Sequence, residues 1–598
     1  MRPHTLLLLI AVSATPALTL WLWDGAVTWP LFGGLGLAFD LTPMAAFFLL
    51  LLAVGAPLAA LPMSQRPYGG KDHALYGLLL LSLQVLLLAQ DFVGFFIGWE
   101  IMTWSSWLWL LRSPRTDDRT SQLYILFNLA SGFLLLAGML VFYGVTGSFA
   151  LRPATDLTAA EGLVLVGLLG LAFLIKVGSL PLHLWVPSSY DQAPDAVSAV
   201  LSGLLSKMGV YALLPLLVLF PDQPGRLFGT WLNNSAAGYP MAWVGVVTSI
   251  VATFKAITQD DMKRLLAYSS IAQVGYITAA IGIGSALGTG GALYHALVHT
   301  LVSLLLFISV AGIIRQTGQR RFNDLGELIY RMPVSFFGVL IGIIALAGMP
   351  PLPGFASKFL IFVALIDARW LLLLAAMILS SSAAFLYCYK LIYAPFLGHA
   401  NSPGARDAHE APWPYLAPQL VLMGLLVGLG MFPGVGVWLV DPVLASLGLA
   451  PIGSPAWGQL ATPYGGYDGT VLMLVFGTAF AVVTGSFFLL RGNLRRAGSR
   501  HDLSFAGEVP EPGQPLHYGA GMGRELRRIP AVGWVLARST AGFYGGLARR
   551  TQAVAGRLDG LYSGNPQGWI QVGVLVFAGA LSLLLLTGGA WVRFGGGI

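Results

Sequence analysis

A chain of 598 residues with 56% hydrophobic and only 10% charged side chains is too apolar to be a water-soluble enzyme, which would carry about 25% charged residues. Its net charge of +7, from 33 Lys and Arg against 26 Asp and Glu, therefore bears on membrane orientation rather than on nucleic acid. One cysteine, Cys388, excludes an intrachain disulfide and a cysteine-held iron–sulfur cluster, which takes about four ligands.

In chain order, apolar runs long enough to cross a bilayer fall at 5–22, 41–62, 74–90, 91–111, 122–146, 162–190, 194–219, 240–257, 265–284, 292–314, 334–367, 371–394, 415–433, 470–490 and 569–588. These runs predict an all-α polytopic membrane protein of about 15 transmembrane helices. With the N-terminus in the cytoplasm, 24 Lys and Arg fall on cytoplasmic segments and four on the other side, and the loop 434–469 has neither residue. The positive-inside bias thus predicts a bacterial-type inner membrane location with the C-terminus outside. The first run also has the outline of a secretory signal, but its removal would spoil that parity.

Five lysines fall inside apolar runs. Each would cost about 2.5–3.5 kcal/mol at mid-membrane, so they must face protein or water. Lys255 and Lys390 sit near cytoplasmic ends, where their stems can snorkel. Lys176, Lys207 and Lys358 lie deeper, as does Glu100 in FVGFFIGWEIMTWSSWLWLL. A buried ion pair that only fixes helix register is the competing reading of each residue taken alone. His295 and His299 are four residues apart and share one helix face, with Ser303 a turn further on. Two core histidines would read the same way; a metal is not expected, because no third ligand lies in that run.

Proline interrupts two of the crossings. Pro181 follows Lys176 in KVGSLPLHLW, and Pro350, Pro351, Pro353 and Gly354 precede Lys358 in GMPPLPGFASK. A broken helix is tolerated in a membrane only where it lines a cavity or is buried in protein. The breaks fall in the sixth and eleventh crossings. Five crossings being an odd number, two such five-helix units have opposite orientations, as in inverted-repeat transporters. The resulting division is 1–73 N-terminal helices, 74–219 first half-channel, 240–394 second half-channel, 395–490 additional helices, 491–568 an Arg-rich cytoplasmic segment, and 569–598 a last helix.

WE at 99–100, KVGSLPLHLW at 176–185, APDAVSAVLSGLLSKMGVY at 193–211, QDDMKRLLAYSSI at 259–271 and PPLPGFASK at 350–358 resemble the antiporter-like proton-translocating subunits shared by respiratory complex I, multisubunit Na⁺/H⁺ antiporters and membrane-bound hydrogenases. The resemblance covers roughly residues 35–400. It implies a proton relay in which Glu100 pairs with Lys176, Lys207 is a central carrier, His295 and His299 link two half-channels, and Lys358 is the terminal carrier. It further implies membrane neighbours, a peripheral redox arm or ion-exchange partner, bound lipid and no nucleic-acid partner. Ser303 departs from the lysine that many members carry there, which leaves the strength of the link between half-channels open. The motifs lean toward the hydrogenase and antiporter branches, and a membrane subunit of an inorganic-carbon uptake complex is a third relative. A stand-alone secondary transporter and a membrane-embedded enzyme, whose only candidate cluster is His399, Asp407, His409 and Glu410, are the readings outside the family.

The 491–568 segment holds eleven arginines. Its stretch 531–562 has the composition of an amphipathic cytoplasmic helix, opened by Pro530 and weakened by Gly545 and Gly546. A lateral helix along neighbouring subunits and an Arg-rich helix on anionic lipid account for it equally well.

Overall fold

The computed structural model describes residues 9–30, 36–65, 68–154, 157–216, 238–398, 402–489 and 522–537, with a few more between 542 and 553. Ten helices among them are long and apolar enough to cross a membrane, and the chain is an integral membrane protein. Up to residue 213 the described helices are α1 (Thr15–Leu22), α2 (Pro43–Ala60), α3 (Gly70–Leu88), α4 (Phe92–Leu110), α5 (Asp118–Thr146), α6 (Ala159–Val177), α7 (Trp185–Gln192) and α8 (Asp195–Leu213). From residue 239 follow α9 (Tyr239–Ile257), α10 (Met262–Ile283), α11 (Ala286–Thr317), α12 (Pro333–Ala347), α13 (Pro353–Asp367) and α14 (Leu371–Ile392). Then come α15 (Trp413–Met431), α16 (Pro433–Ser446), α17 (Gly469–Leu489), α18 (Met522–Arg528) and α19 (Pro530–Ala537). The expected crossing at 569–588 lies outside the described residues. Helix α4 falls outside the ten because Glu100 and its hydroxyl residues lower its hydropathy, although it spans 19 residues.

Short polar side chains start these helices by accepting otherwise unpaired amides. Thr42 accepts from Ala45, Asp91 from Gly94, Asp261 from Arg264 and Ser285 from Gly288. Glu410, one of the cluster considered for an embedded enzyme, accepts from Val334 N at 2.7 Å and Ser335 Oγ at 2.7 Å, so it caps the start of α12. Asp117 caps α5 through Thr120 N at 2.7 Å, and that bond holds its carboxyl below the usual carboxylate range. Such a cap contributes when the carboxylate is charged, above its ordinary pKa near ~3.9, and is lost as pH falls through the lowered value. Asp117→Ala is expected to cost about 1 kcal/mol at neutral pH, with the Tm gap to the wild type closing in acid. Equal Tm values at neutral pH would show that the cap contributes nothing.

The centre of the bundle is α11, buried along its length and packed against α2, α8, α10, α12, α13, α15 and α16. Helices α9 and α10 approach most closely, because a side chain on Gly245 would overlap Ala279 and one on Gly275 would overlap Ser249. Two antiparallel hairpins, β1 (Val27–Pro30) with β2 (Gly36–Phe39) and β3 (Gln459–Thr462) with β4 (Gly465–Asp468), lie outside the helical bundle. Of the expected 531–562 helix, α19 is described and packs on α9, where Lys255 donates to Leu536 O at 3.3 Å. Tyr544 donates to Pro181 O at 2.9 Å. The described parts of this arm thus rest on their own chain.

Candidate functional site: a buried polar line

Both predicted breaks interrupt the backbone, and they do so in the same way. Helix α6 ends at Gly178, φ +80°, whose amide reaches Leu174 O and Ile175 O while Ser179 N reaches Leu174 O. Helix α12 ends at Gly348, φ +79°, whose amide reaches Ile344 O and Ala345 O while Met349 N reaches Ile344 O. Left-handed backbone at these two positions favours glycine. Pro181 lies in the first gap and Pro350 and Pro351 in the second, whereas Pro353 and Gly354 begin α13. Gly354 is needed there, since a side chain would overlap Ala345 O.

Lys176, at the last turn of α6, is fully buried. Its ammonium donates to Asn128 Oδ1 at 2.8 Å and Thr103 Oγ1 at 3.0 Å and lies 5.4 Å from the Trp99 ring centroid. Glu100 is half-buried against Gly132 of α5, and its Oε1 has no hydrogen-bond partner. No hydrogen bond or ion pair within contact distance joins Glu100 and Lys176 among the described residues. Asn128 and Thr103 take the lysine's hydrogen bonds, while the two charges still act on each other electrostatically.

A π turn at Leu201–Leu205 precedes Lys207 on α8; such turns recur at functional sites. Lys207 donates to Ser202 O at 2.8 Å and Ser206 Oγ at 3.2 Å and meets His299 Nδ1 at 3.0 Å. His299 Nε2 meets Ser303 Oγ at 3.0 Å, Ser303 meets Ser202 Oγ at 3.0 Å, and Ser202 donates to Ser270 at 2.9 Å. Ser303 therefore closes a ring of contacts through α8 and α11, with Ser270 of α10 attached at Ser202. A cavity of about 10 Å³ adjoins His299 and Ser303.

His295 lies one turn away on α11, its ring 6.5 Å from that of His299 and within 11° of parallel. It meets Gln273 Oε1 at 3.0 Å and Ser357 Oγ at 2.8 Å. Beside Ser357, Lys358 donates to Ala347 O at 2.8 Å, Leu346 O at 3.1 Å and Ser381 Oγ at 3.1 Å, 4.8 Å above the Tyr276 ring. These carbonyls are the ones freed where α12 stops, at the negative end of its dipole. The structure thus bonds Lys207 to His299, stacks His295 6.5 Å further along α11 and brings it to Ser357 beside Lys358, and it places Lys176 and Glu100 in a separate cluster.

Sequence reading missed the partners Asn128, Thr103, Ser202 and Gln273. It also missed an ionic cluster between the halves. Lys263 Nζ reaches Asp195 Oδ1 at 3.0 Å and Ala193 O at 2.7 Å, and Arg320 pairs with Asp191 and Asp261; burial raises the Asp261 carboxyl. Lys390 does not snorkel to water but donates to Gln259 O at 2.5 Å and Asp260 Oδ1 at 3.1 Å. No group of three or more metal-ligating side chains occurs among the described residues.

Lysines and histidines buried in a helical membrane bundle and tied to interrupted helices define a class of ion-translocating protein. Residues 89–384 match the family described as NADH:quinone oxidoreductase/Mrp antiporter, TM. NADH-quinone oxidoreductase subunit N of Moorella thermoacetica is 30% identical over 65% of this chain and 82% of the relative. Hydrogenase-4 component B of Escherichia coli is 28% identical over 67% of this chain and 63% of its own length. A chain of an archaeal membrane-bound sulfane sulfur reductase superposes with a TM-score of 0.80 at 28% identity, covering 97% of both chains. The chain belongs to the NADH:quinone oxidoreductase/Mrp antiporter family and is an antiporter-like, proton-translocating membrane subunit.

Proposed function

We propose that the chain moves protons through two inverted half-channels of five crossings each, 74–219 and 240–394, within a molecule of about 15 crossings. Glu100 and Lys176 set the first half-channel, Lys207 carries the proton at the centre, His299 and His295 pass it on, and Lys358 is the terminal carrier. The observation that carries this reading is the run of contacts from Lys207 through His299 and His295 to the Ser357–Lys358 pair. A lysine beside a movable counter-charge changes its proton affinity, so the relay needs no cofactor of its own.

A redox-driven complex is favoured over a purely ion-exchanging one by the match to a sulfane sulfur reductase chain over 97% of each length. The neighbours would then be membrane subunits and a peripheral redox arm. In this reading the chain lies in the inner membrane with its N-terminus in the cytoplasm and its C-terminus outside, and 491–568 is cytoplasmic.

Two measurements on intact material test this. Purification in mild detergent is expected to bring down redox subunits, and the complex in liposomes is expected to acidify one compartment on addition of its electron donor; recovery with small membrane subunits alone would favour ion exchange. A Ser539→Cys variant is expected to resist a membrane-impermeant thiol reagent on whole cells and to react after permeabilisation. Labelling from outside would reverse the orientation.

A further inference from the structure

A second buried line joins the two helix breaks without passing through the histidines. It starts in the first break, where Leu180 N donates to Thr248 Oγ1 on α9 at 3.0 Å. The next residue, Ser249, meets Ser380 Oγ on α14 at 2.7 Å, and Thr253, a turn along α9, meets the same hydroxyl at 3.1 Å. The residue after Ser380 is Ser381, which accepts from the Lys358 ammonium at 3.1 Å and donates to Ala347 O at 3.3 Å. Tyr276, whose ring lies under that ammonium, donates its hydroxyl to Met377 O on α14 at 3.0 Å. Thr248, Ser249, Thr253 and Ser380 are all buried.

The order matters physically. Helix α9 is locked to α10 by the backbone contact at Gly245 and Gly275, so it cannot rotate independently to absorb a shift of Leu180. Two hydroxyls of α9 then grip one serine of α14, and its neighbour holds the terminal lysine. Buried hydroxyls left unpaired cost about 1–3 kcal/mol each, so displacing one end of this line strains the other.

We infer that Thr248, Ser249, Ser380 and Ser381 are positioning residues that tie the geometry of the first break, beside Lys176, to the oxygen cage around Lys358. The line transmits position and carries no proton, since its first link is a backbone amide. It rests on the proposed role of Lys358 and deepens it: the terminal carrier senses the first half-channel through two contacts, one through the histidines and one through α9 and α14.

The test is a double-mutant cycle on Thr248→Val and Ser380→Ala, read as proton translocation against pH by the complete complex in liposomes, with assembly measured alongside. Each single change is expected to lower translocation by about threefold to tenfold, the range found for coupling residues remote from a site, and to shift the pH profile. The double variant is expected to lose no more than the worse single, and Ser380→Thr is expected to restore the wild-type profile. Losses that multiply, profiles that superpose on the wild type, or a threonine variant no better than the alanine would overturn the inference. Lys358→Met, run in parallel, separates the two levels: normal translocation by that variant would refute the relay itself rather than the line that serves it.

Discussion

Lys207→Met is expected to abolish proton translocation, by about a hundredfold or more, while leaving assembly near the wild type. The size follows from what a positioned proton-transferring side chain contributes. Tolerance follows from burial: methionine fills a similar volume and removes a charge whose desolvation the fold otherwise has to offset. The variant loses the bonds to Ser202 O, Ser206 Oγ and His299 Nδ1. Lys207→Arg supplies the control, because a guanidinium keeps the charge and donors but does not release its proton in a protein. It should assemble and still fail to translocate. Normal pumping by the assembled methionine variant would remove Lys207 from the relay.

The second large effect concerns Glu100 and Lys176. Asn128 and Thr103 hold the lysine, and among the described residues Glu100 is the charge that acts on it electrostatically. Glu100→Gln is therefore expected to cut translocation by about tenfold or more, Lys176→Met by more, and the double variant no further than Lys176→Met, a coupling of the order seen between groups in one network. Glu100→Asp should retain partial activity. A double variant whose loss is the product of the two singles would mean that Glu100 answers to another group.

Much of this architecture is written in residue types whose cost in a membrane is high. Pro181 and the run from Pro350 to Gly354 locate both breaks, and four of the five lysines in apolar runs, Lys176, Lys207, Lys358 and Lys390, mark buried sites without any knowledge of packing. What the sequence leaves open is rotation about each helix axis. Helices apolar on all sides give no periodic signal for the inward face. Hence Asn128 and Thr103, uncharged and surrounded by apolar neighbours, carry no mark of their contact with Lys176. The same holds for Ser249 and Ser380, which meet 131 positions apart. Lys390 is misread for a related reason: its partner Asp260 belongs to the α9–α10 connection, which only the folded chain brings alongside α14.

Ser303 shows how a departure from a family pattern can be absorbed. In place of a further charge it offers one hydroxyl, which satisfies His299 and Ser202 together. In the proposed relay, the contact of His299 with Ser303 thereby works through hydrogen bonds rather than through a second cation.

The placement of Lys358 on the carbonyl end of α12 makes the travelling charge a structural fastener as well. Its ammonium closes Leu346 O and Ala347 O, which no following helical turn can close, and a cation at a helix C-terminus contributes about 0.3–1 kcal/mol at the surface and up to ~2 kcal/mol where partly buried. In the proposed relay, each proton that leaves Lys358 would loosen the joint between α12 and α13, and each that arrives would tighten it. Occupancy and stiffness at this hinge would then be one quantity, and the mechanical state at the second break could be read by counting protons.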